Sequence, residues 1–110
     1  MTRVSYDQAE MRMEIRGHAG GGEYGRDLIC AAESILLLTL EAALEDSGEL
    51  LLPTVRKRPG EAMIRCEPEA GHERKCREIM HTVFIGFQLL ANRYPENVSA
   101  EAINADWREI

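Results

Sequence analysis

The sequence lacks the cysteine patterns of a cross-linked or zinc-binding protein. Its cysteines are Cys30, Cys66 and Cys76, an odd number with no CxxC spacing. A disulfide framework needs paired cysteines, and a zinc ribbon needs closely spaced pairs of them. We therefore expect free thiols in a reducing compartment, and neither a metal ion nor another cofactor.

Long apolar runs are also missing. The first ten residues are polar and do not resemble the apolar stretch of a signal peptide. The longest apolar run, Ile35 to Leu44, is interrupted by Thr39 and Glu41, and a membrane-spanning helix needs about 20 apolar residues. The sequence predicts a cytoplasmic protein without membrane spans.

Positive charge is in deficit. Lys and Arg total 13 against 19 for Asp and Glu, which gives a formal net charge of -6. Such a surface repels phosphate backbones, so direct nucleic-acid binding is not expected, and a basic partner suits it better. A length of 110 residues with 45% hydrophobic side chains fits one domain, residues 1–110.

Period-two alternation predicts the strands of a small sheet. Apolar and charged residues alternate from Met11 to Arg16, after a first short strand near the N-terminus. Strand-like runs follow at Leu50–Val55 and Ala62–Cys66, with the proline and glycine of a tight turn, Arg58 to Glu61, between them. The run Val98–Ile103 is either a further edge strand or irregular chain.

Two segments have the periodicity of helices. From Asp27 to about Asp46 the residues are apolar almost all the way round, which predicts a central, largely buried helix. From Glu73 to Arg93 apolar residues recur at spacings of three and four, and Tyr94-Pro95 ends the pattern. The prediction is an α+β two-layer sandwich, a small mixed β-sheet with two helices on one face, in the order β-β-α-β-β-α.

A histidine and a cysteine flank a loop that is rich in glycine. Five glycines occur between positions 17 and 25, with His18 at one end and Cys30 shortly after the other. With Asp27 as the N-cap, Cys30 is the third helical residue, where free N–H groups and the helix dipole favour a thiolate. An adjacent imidazole can accept the thiol proton and later protonate a leaving amine. These residues predict cysteine-dependent acyl transfer.

The same stretch resembles the ribosomal-processing cysteine proteases of bacteria, the Prp family. The family signature is Gly-His-Ala, a loop with glycines, and then Gly-x-Asp, two aliphatic residues and Cys-Ala-Ala-x-Ser. The chain matches it from Gly17 to Ala19 and from Gly25 to Ser34. The resemblance covers nearly the whole chain, including a second helix that ends near a Tyr-Pro.

The resemblance implies a specific activity. It assigns the nucleophile to Cys30 and the histidine to His18, and it predicts removal of an N-terminal extension from ribosomal large-subunit protein twenty-seven. It also implies a homodimer. The supporting motif residues would be Gly17, Asp27 and Ser34, and the glycines of a substrate-gating loop would be Gly20, Gly21, Gly22 and Gly25.

One residue departs from the signature, and other interpretations remain open. Glu33 stands where a small or apolar residue is expected, and its carboxylate either opposes thiolate formation at Cys30 or points to solvent.

The runner-up function is a noncatalytic, ribosome-associated peptide-binding module of the same fold. Cys66 and Cys76 lie on apolar faces and are assigned to the core. His72 and Cys76 have a spacing compatible with a metal ion, but no further ligands accompany them.

Overall fold

The computed structural model describes residues 1–18 and 26–105, with only the backbone for residues 26 and 27. Among these residues the chain forms five strands and three helices. In chain order they are β1 (Thr2–Asp7), β2 (Arg12–Arg16), α1 (Arg26–Glu45), α2 (Gly48–Leu51), β3 (Pro53–Arg58), β4 (Glu61–Cys66), α3 (Glu73–Arg93) and β5 (Val98–Ile103). No helix in these ranges is long and apolar enough to cross a membrane.

The strands make one mixed sheet in the order β3-β4-β2-β1-β5. Adjacent strands are antiparallel except for β1 and β5, which run parallel in the register that pairs Thr2 with Val98. Parallel neighbours need a long crossover connection, and here the chain between β1 and β5 supplies one. The predicted two-layer α+β fold is confirmed, and the segment Val98–Ile103 is an edge strand of the sheet.

The core lies between the sheet and the two long helices. Tyr6 and Met13 from adjacent strands are buried there, and the Tyr6 ring lies 5.5 Å from the ring of Phe84 on α3. Cys66 and Cys76 are both buried in the same cluster, as their apolar periodicity predicts. Burial of the Tyr6 ring raises the pKa of its hydroxyl, so that hydroxyl stays protonated in the core.

The segment predicted as one strand at Leu50–Val55 is divided in the structure. Residues Gly48–Leu51 form the short helix α2, and the strand begins only at Pro53. The turn of helix buries the side chain of Leu51 completely. Leu52 then adopts φ 45, a left-handed conformation that ends the helix. Burial of Leu51 in the core therefore outweighs the strand preference of this run.

Helix α1 is less buried than its composition predicts. Ile29, Leu40 and Leu44 are buried. Leu28 and Ile35 are 66% and 61% exposed, and Leu38 is 51% exposed. The prediction of a central, largely buried helix is wrong for this face, because the sheet covers one side of α1 and α3 covers only part of the rest.

Candidate active site

The position of His18 is fixed by a glycine at the end of β2. Gly17 has φ 91, and its N–H donates a hydrogen bond to the carbonyl of Gly60 over 2.8 Å. A Cβ atom at position 17 would lie 2.3 Å from the carbonyl oxygen of Met1. Only glycine fits both this conformation and this space, so the backbone needs a glycine to present His18 here.

The imidazole of His18 packs against the turn between β3 and β4. Gly60 in that turn has φ 76, and a Cβ atom there would lie 3.0 Å from Nε2 of His18. A larger residue at position 60 would therefore push on the imidazole. The turn was recognised in the sequence, but its contact with His18 was not.

Cys30 lies near the start of α1, deeper in the helix than predicted. The helix begins at Arg26, so Asp27 is its second residue and Cys30 its fifth. The prediction that Asp27 is the N-cap is wrong for this reason. The unpaired N–H groups of the helix then belong to residues about one turn before Cys30, and the dipole effect weakens beyond the first turn.

His18 and Cys30 share one cavity of about 300 Å³ at the end of the sheet. It also includes Ser34, which is exposed, one helical turn after the half-buried Cys30. The charged or motif residues on its wall are Gly17 and His18 after β2, Cys30, Glu33 and Ser34 on α1, and Lys57, Arg58, Gly60 and Glu61 on the β3–β4 hairpin. The structure therefore brings together the predicted nucleophile, the predicted base and two of the predicted supporting residues.

The remaining predicted site residues lie outside the described part of the chain. This applies to Gly20, Gly21, Gly22 and Gly25 and to the side chain of Asp27.

Most charges on the cavity wall are paired. Lys57 lies 2.5 Å from a carboxylate oxygen of Glu41 on α1, and Arg58 forms an ion pair with Glu61 across the hairpin turn. Glu33 is half-buried and lines the cavity together with Cys30 and His18. Burial raises the pKa of Glu33, while the Thr2 hydroxyl and the positive charges of the amino terminus and His18 act in the opposite direction.

A larger depression of about 420 Å³ lies on the opposite, uncovered face of the sheet. Its wall is formed mainly by charged side chains, including Glu14, Arg16 and Arg56, and it contains neither a thiol nor an imidazole. We therefore take the smaller cavity as the candidate active site. Within the described residues no group of three or more His, Cys, Asp and Glu side chains could hold a metal ion.

The hairpin residues of the site were missed because their strand pairing was unknown. In the sheet β2 pairs with β4, so that Arg16 lies opposite Glu61 and the turn at Gly60 follows directly beside Gly17 and His18. The sequence contained the turn and the alternating strands. It contained no signal for which strand lies next to β2, since period-two alternation is the same for every pairing.

Comparison with known proteins agrees with the resemblance found in the sequence. The model of the family described as cysteine protease Prp matches residues 1–99. No curated protein sequence matches the chain. The crystal structure of SMU.848 from Streptococcus mutans is 27% identical over 93% of this chain and 91% of that one, with a TM-score of 0.69.

Two further structures show the same fold. The ribosomal processing protease Prp from S. aureus with a covalently linked product peptide is 24% identical, with a TM-score of 0.77. The same protease with a substrate peptide is 22% identical, with a TM-score of 0.75. Each match covers 94% of this chain and 100% of the other.

Proposed function

The chain belongs to the cysteine protease Prp family, and from this premise we propose that Cys30 is its nucleophile and His18 its general base. The observation that carries the proposal is the common cavity, whose wall holds the thiol of Cys30 and the imidazole of His18. A cysteine protease needs this pair within reach of one peptide bond.

The proposed reaction proceeds in two halves. The thiol of Cys30 first gives its proton to His18, and the Sγ of the resulting thiolate attacks the scissile carbonyl carbon. The tetrahedral intermediate collapses to a thioester, and His18 gives that proton to the leaving amine. A water molecule then attacks the thioester carbonyl and loses one proton to His18. The intermediate expels the Cys30 thiolate, so the thiolate and the protonated His18 are restored, and the product carboxylic acid loses its proton to solvent. The supporting roles of Gly17, Asp27 and Ser34 and the gating role of the glycine loop belong to this proposal.

We propose that the substrate is the N-terminal extension of ribosomal large-subunit protein twenty-seven, cleaved in the cytoplasm. Two of the related structures are described as a ribosomal processing protease bound to peptides. The net charge of -6 attracts a basic ribosomal protein and raises its rate of encounter. The three cysteines are free thiols, which is typical of a reducing compartment.

The direct test is cleavage of a peptide that spans this extension, with the new N-terminus read by mass spectrometry. We expect Cys30→Ala and His18→Ala each to lower cleavage by at least about a thousandfold while circular dichroism stays native. The control variant His72→Ala removes a half-buried histidine at the start of α3, away from the cavity, and should cleave normally. Unchanged cleavage in Cys30→Ala or His18→Ala would refute the assignment.

A chemical test needs no substrate. Cys30 is half-buried and opens on the cavity, whereas Cys66 and Cys76 are buried. Iodoacetamide should therefore label the native protein once, at Cys30, and label all three thiols only after unfolding. Labelling of Cys66 or Cys76 before Cys30 would contradict the proposed nucleophile.

We further propose that the chain forms a homodimer through α1. Its exposed residues Leu28, Ile35 and Leu38 follow one another at spacings of seven and three, so they lie on one side of the helix. The same spacing forms the seam of paired helices, and two copies related by a twofold axis would bury both stripes together.

Sedimentation of two matched variants tests the dimer. Ile35→Glu on α1 should yield a monomer, because it places a charge in the stripe. Leu89→Glu on α3 changes a side chain that is equally accessible, 63% exposed against 61%, and should leave the dimer intact. The reverse result would place the interface on α3.

A further inference from the structure

Glu33, the residue that departs from the family signature, lines the cavity. It lies one helical turn after Cys30 on α1 and is half-buried, not directed to solvent. Its Oε1 atom is buried and has no hydrogen-bond partner among the residues that the structure describes. The Thr2 hydroxyl lies beside this carboxyl without completing a well-formed hydrogen bond.

Such a position is costly for a carboxylate. Burial raises the pKa of Glu33, so part of the free energy of folding is lost when this group ionises. Groups that oppose stability in this way collect at functional sites, where the local charge has a task. His18 is among the positive charges that draw the carboxyl toward its ionised form.

We propose that Glu33 is a positioning residue that stabilises and orients the protonated imidazole of His18. Glu33 lines the same cavity as His18, and the charges of the two groups act on each other. An ionised carboxylate favours the charged form of a neighbouring histidine. Glu33 neither gains nor loses a proton in the reaction. The inference rests on the proposed role of His18 and assigns a third residue to the site.

Two effects of Glu33 are distinguishable in the pH profile of cleavage. One is stabilisation of the protonated His18, as proposed, and the other is opposition to thiolate formation at Cys30. In a thiolate–imidazolium pair, the acidic limb of kcat/KM reports formation of the thiolate and the alkaline limb reports loss of the imidazolium proton. A carboxylate that only opposed the thiolate would move the acidic limb alone. A carboxylate that holds the imidazolium also extends the alkaline limb.

Other charges near His18 stay in place when Glu33 changes. From α1 these include the thiol of Cys30, and from the start of β1 the amino group of Met1 acts on the same carboxyl. The hairpin contributes Lys57, paired with Glu41, and Arg58, paired with Glu61. The side chains of residues 26 and 27 lie outside the described part of the chain. A shift caused by Glu33→Gln therefore measures the charge of Glu33.

The first experiment compares Glu33→Gln with Glu45→Gln. The glutamine keeps the shape of the side chain and removes its charge. We expect the alkaline limb of Glu33→Gln to move to lower pH by about 0.5 to 1 unit, which lowers kcat/KM by about three- to tenfold on the falling part of the profile. Glu45 is exposed on the same helix, about 18 Å further along, and its variant should keep the limb of the parent. An alkaline limb that stays in place, or that moves to higher pH, would overturn the proposal.

A second measurement is independent of catalysis. In the Cys30→Ala background, the ring protons of His18 are titrated by NMR with and without Glu33→Gln. We expect the titration midpoint to fall by about 0.5 to 1 pH unit when the carboxylate is removed. An unchanged midpoint would refute the role of Glu33 even if Cys30→Ala is inactive. Cleavage by Cys30→Ala would instead refute the proposed nucleophile and leave this titration as the test of the contact.

Discussion

The two long helices, α1 and α3, differ sharply in what they bury. They have 20 and 21 residues. Helix α3 buries a continuous stripe, comprising Cys76, Met80, Val83, Phe84 and Phe87. Helix α1 buries Ile29, Leu40 and Leu44, and it exposes three large aliphatic residues on another face. The difference indicates that α3 anchors the core, whereas α1 divides its surface between the core, the candidate active site and a proposed partner.

The comparison also shows which sequence signal predicts burial. In α3 the apolar residues recur at spacings of three and four, and most of them lie in the core. In α1 they surround the helix, and that pattern overestimates burial because the sheet and α3 together cover only part of it. Periodicity identifies a buried face, whereas total apolar content does not identify what covers each face.

The largest expected effect on stability lies in α3. Phe84 is fully buried against Tyr6, so Phe84→Ala should lower the free energy of unfolding by about 3–5 kcal/mol. Leu38 on α1 is 51% exposed, and Leu38→Ala should change it by less than about 0.5 kcal/mol in the monomer. Urea unfolding at low protein concentration measures the change in the free energy of unfolding for both variants. Equal losses would show that α1 is anchored as firmly as α3.

An intermediate effect is expected where the helices touch. A Cβ atom at Gly86 on α3 would lie 2.4 Å from a methyl carbon of Leu36 on α1. Gly86→Val should lower the free energy of unfolding by about 1–3 kcal/mol through overpacking. Adding Leu36→Ala creates space, so the double variant should lose less than the sum of the two single losses. Strict additivity would mean that Leu36 does not limit this approach.

The smallest expected effect concerns α1 and pH. Because the folded-state pKa of Glu33 is raised above its ordinary value of 4.5, its contribution to stability is full below that ordinary value and is lost as pH rises through the raised one. Glu33→Gln has no group that ionises here, so its free energy of unfolding should rise relative to that of the parent as the pH increases from acidic to neutral. Thermal unfolding against pH checks it, and the exposed Glu45→Gln is the control. A stability difference between Glu33→Gln and the parent that does not change with pH would show that burial does not raise the pKa of Glu33.

Most of the fold was predictable because its signals are local. The alternation from Met11 to Arg16 predicts a strand, and the structure has one at Arg12–Arg16. The predicted helix Glu73–Arg93 and its end at Tyr94 agree with the structure. The parts that were wrong depend on distant contacts. Residues Gly48–Leu51 form a short helix that places Leu51 in the core. Helix α1 starts at Arg26, so Asp27 is not its N-cap.

The candidate site divides in the same way. His18, Cys30, Gly17 and Ser34 were identified from one continuous stretch, and they line one cavity. Gly60 and the charged hairpin residues were not identified, since they reach the cavity through the pairing of β2 with β4. The position of Glu33 was ambiguous because a helical residue one turn from Cys30 can face either the cavity or solvent.

The sequence by itself determined the helical and extended segments, the glycine-flanked histidine and cysteine, and the acidic charge. These follow from backbone preferences, side-chain periodicity and chemistry within a few residues. Only the tertiary structure decided that the hairpin turn lies against His18, that Glu33 is half-buried in the cavity and that one face of α1 stays exposed. Those outcomes depend on which surfaces meet when the sheet and helices pack, and side chains far apart in sequence settle that together.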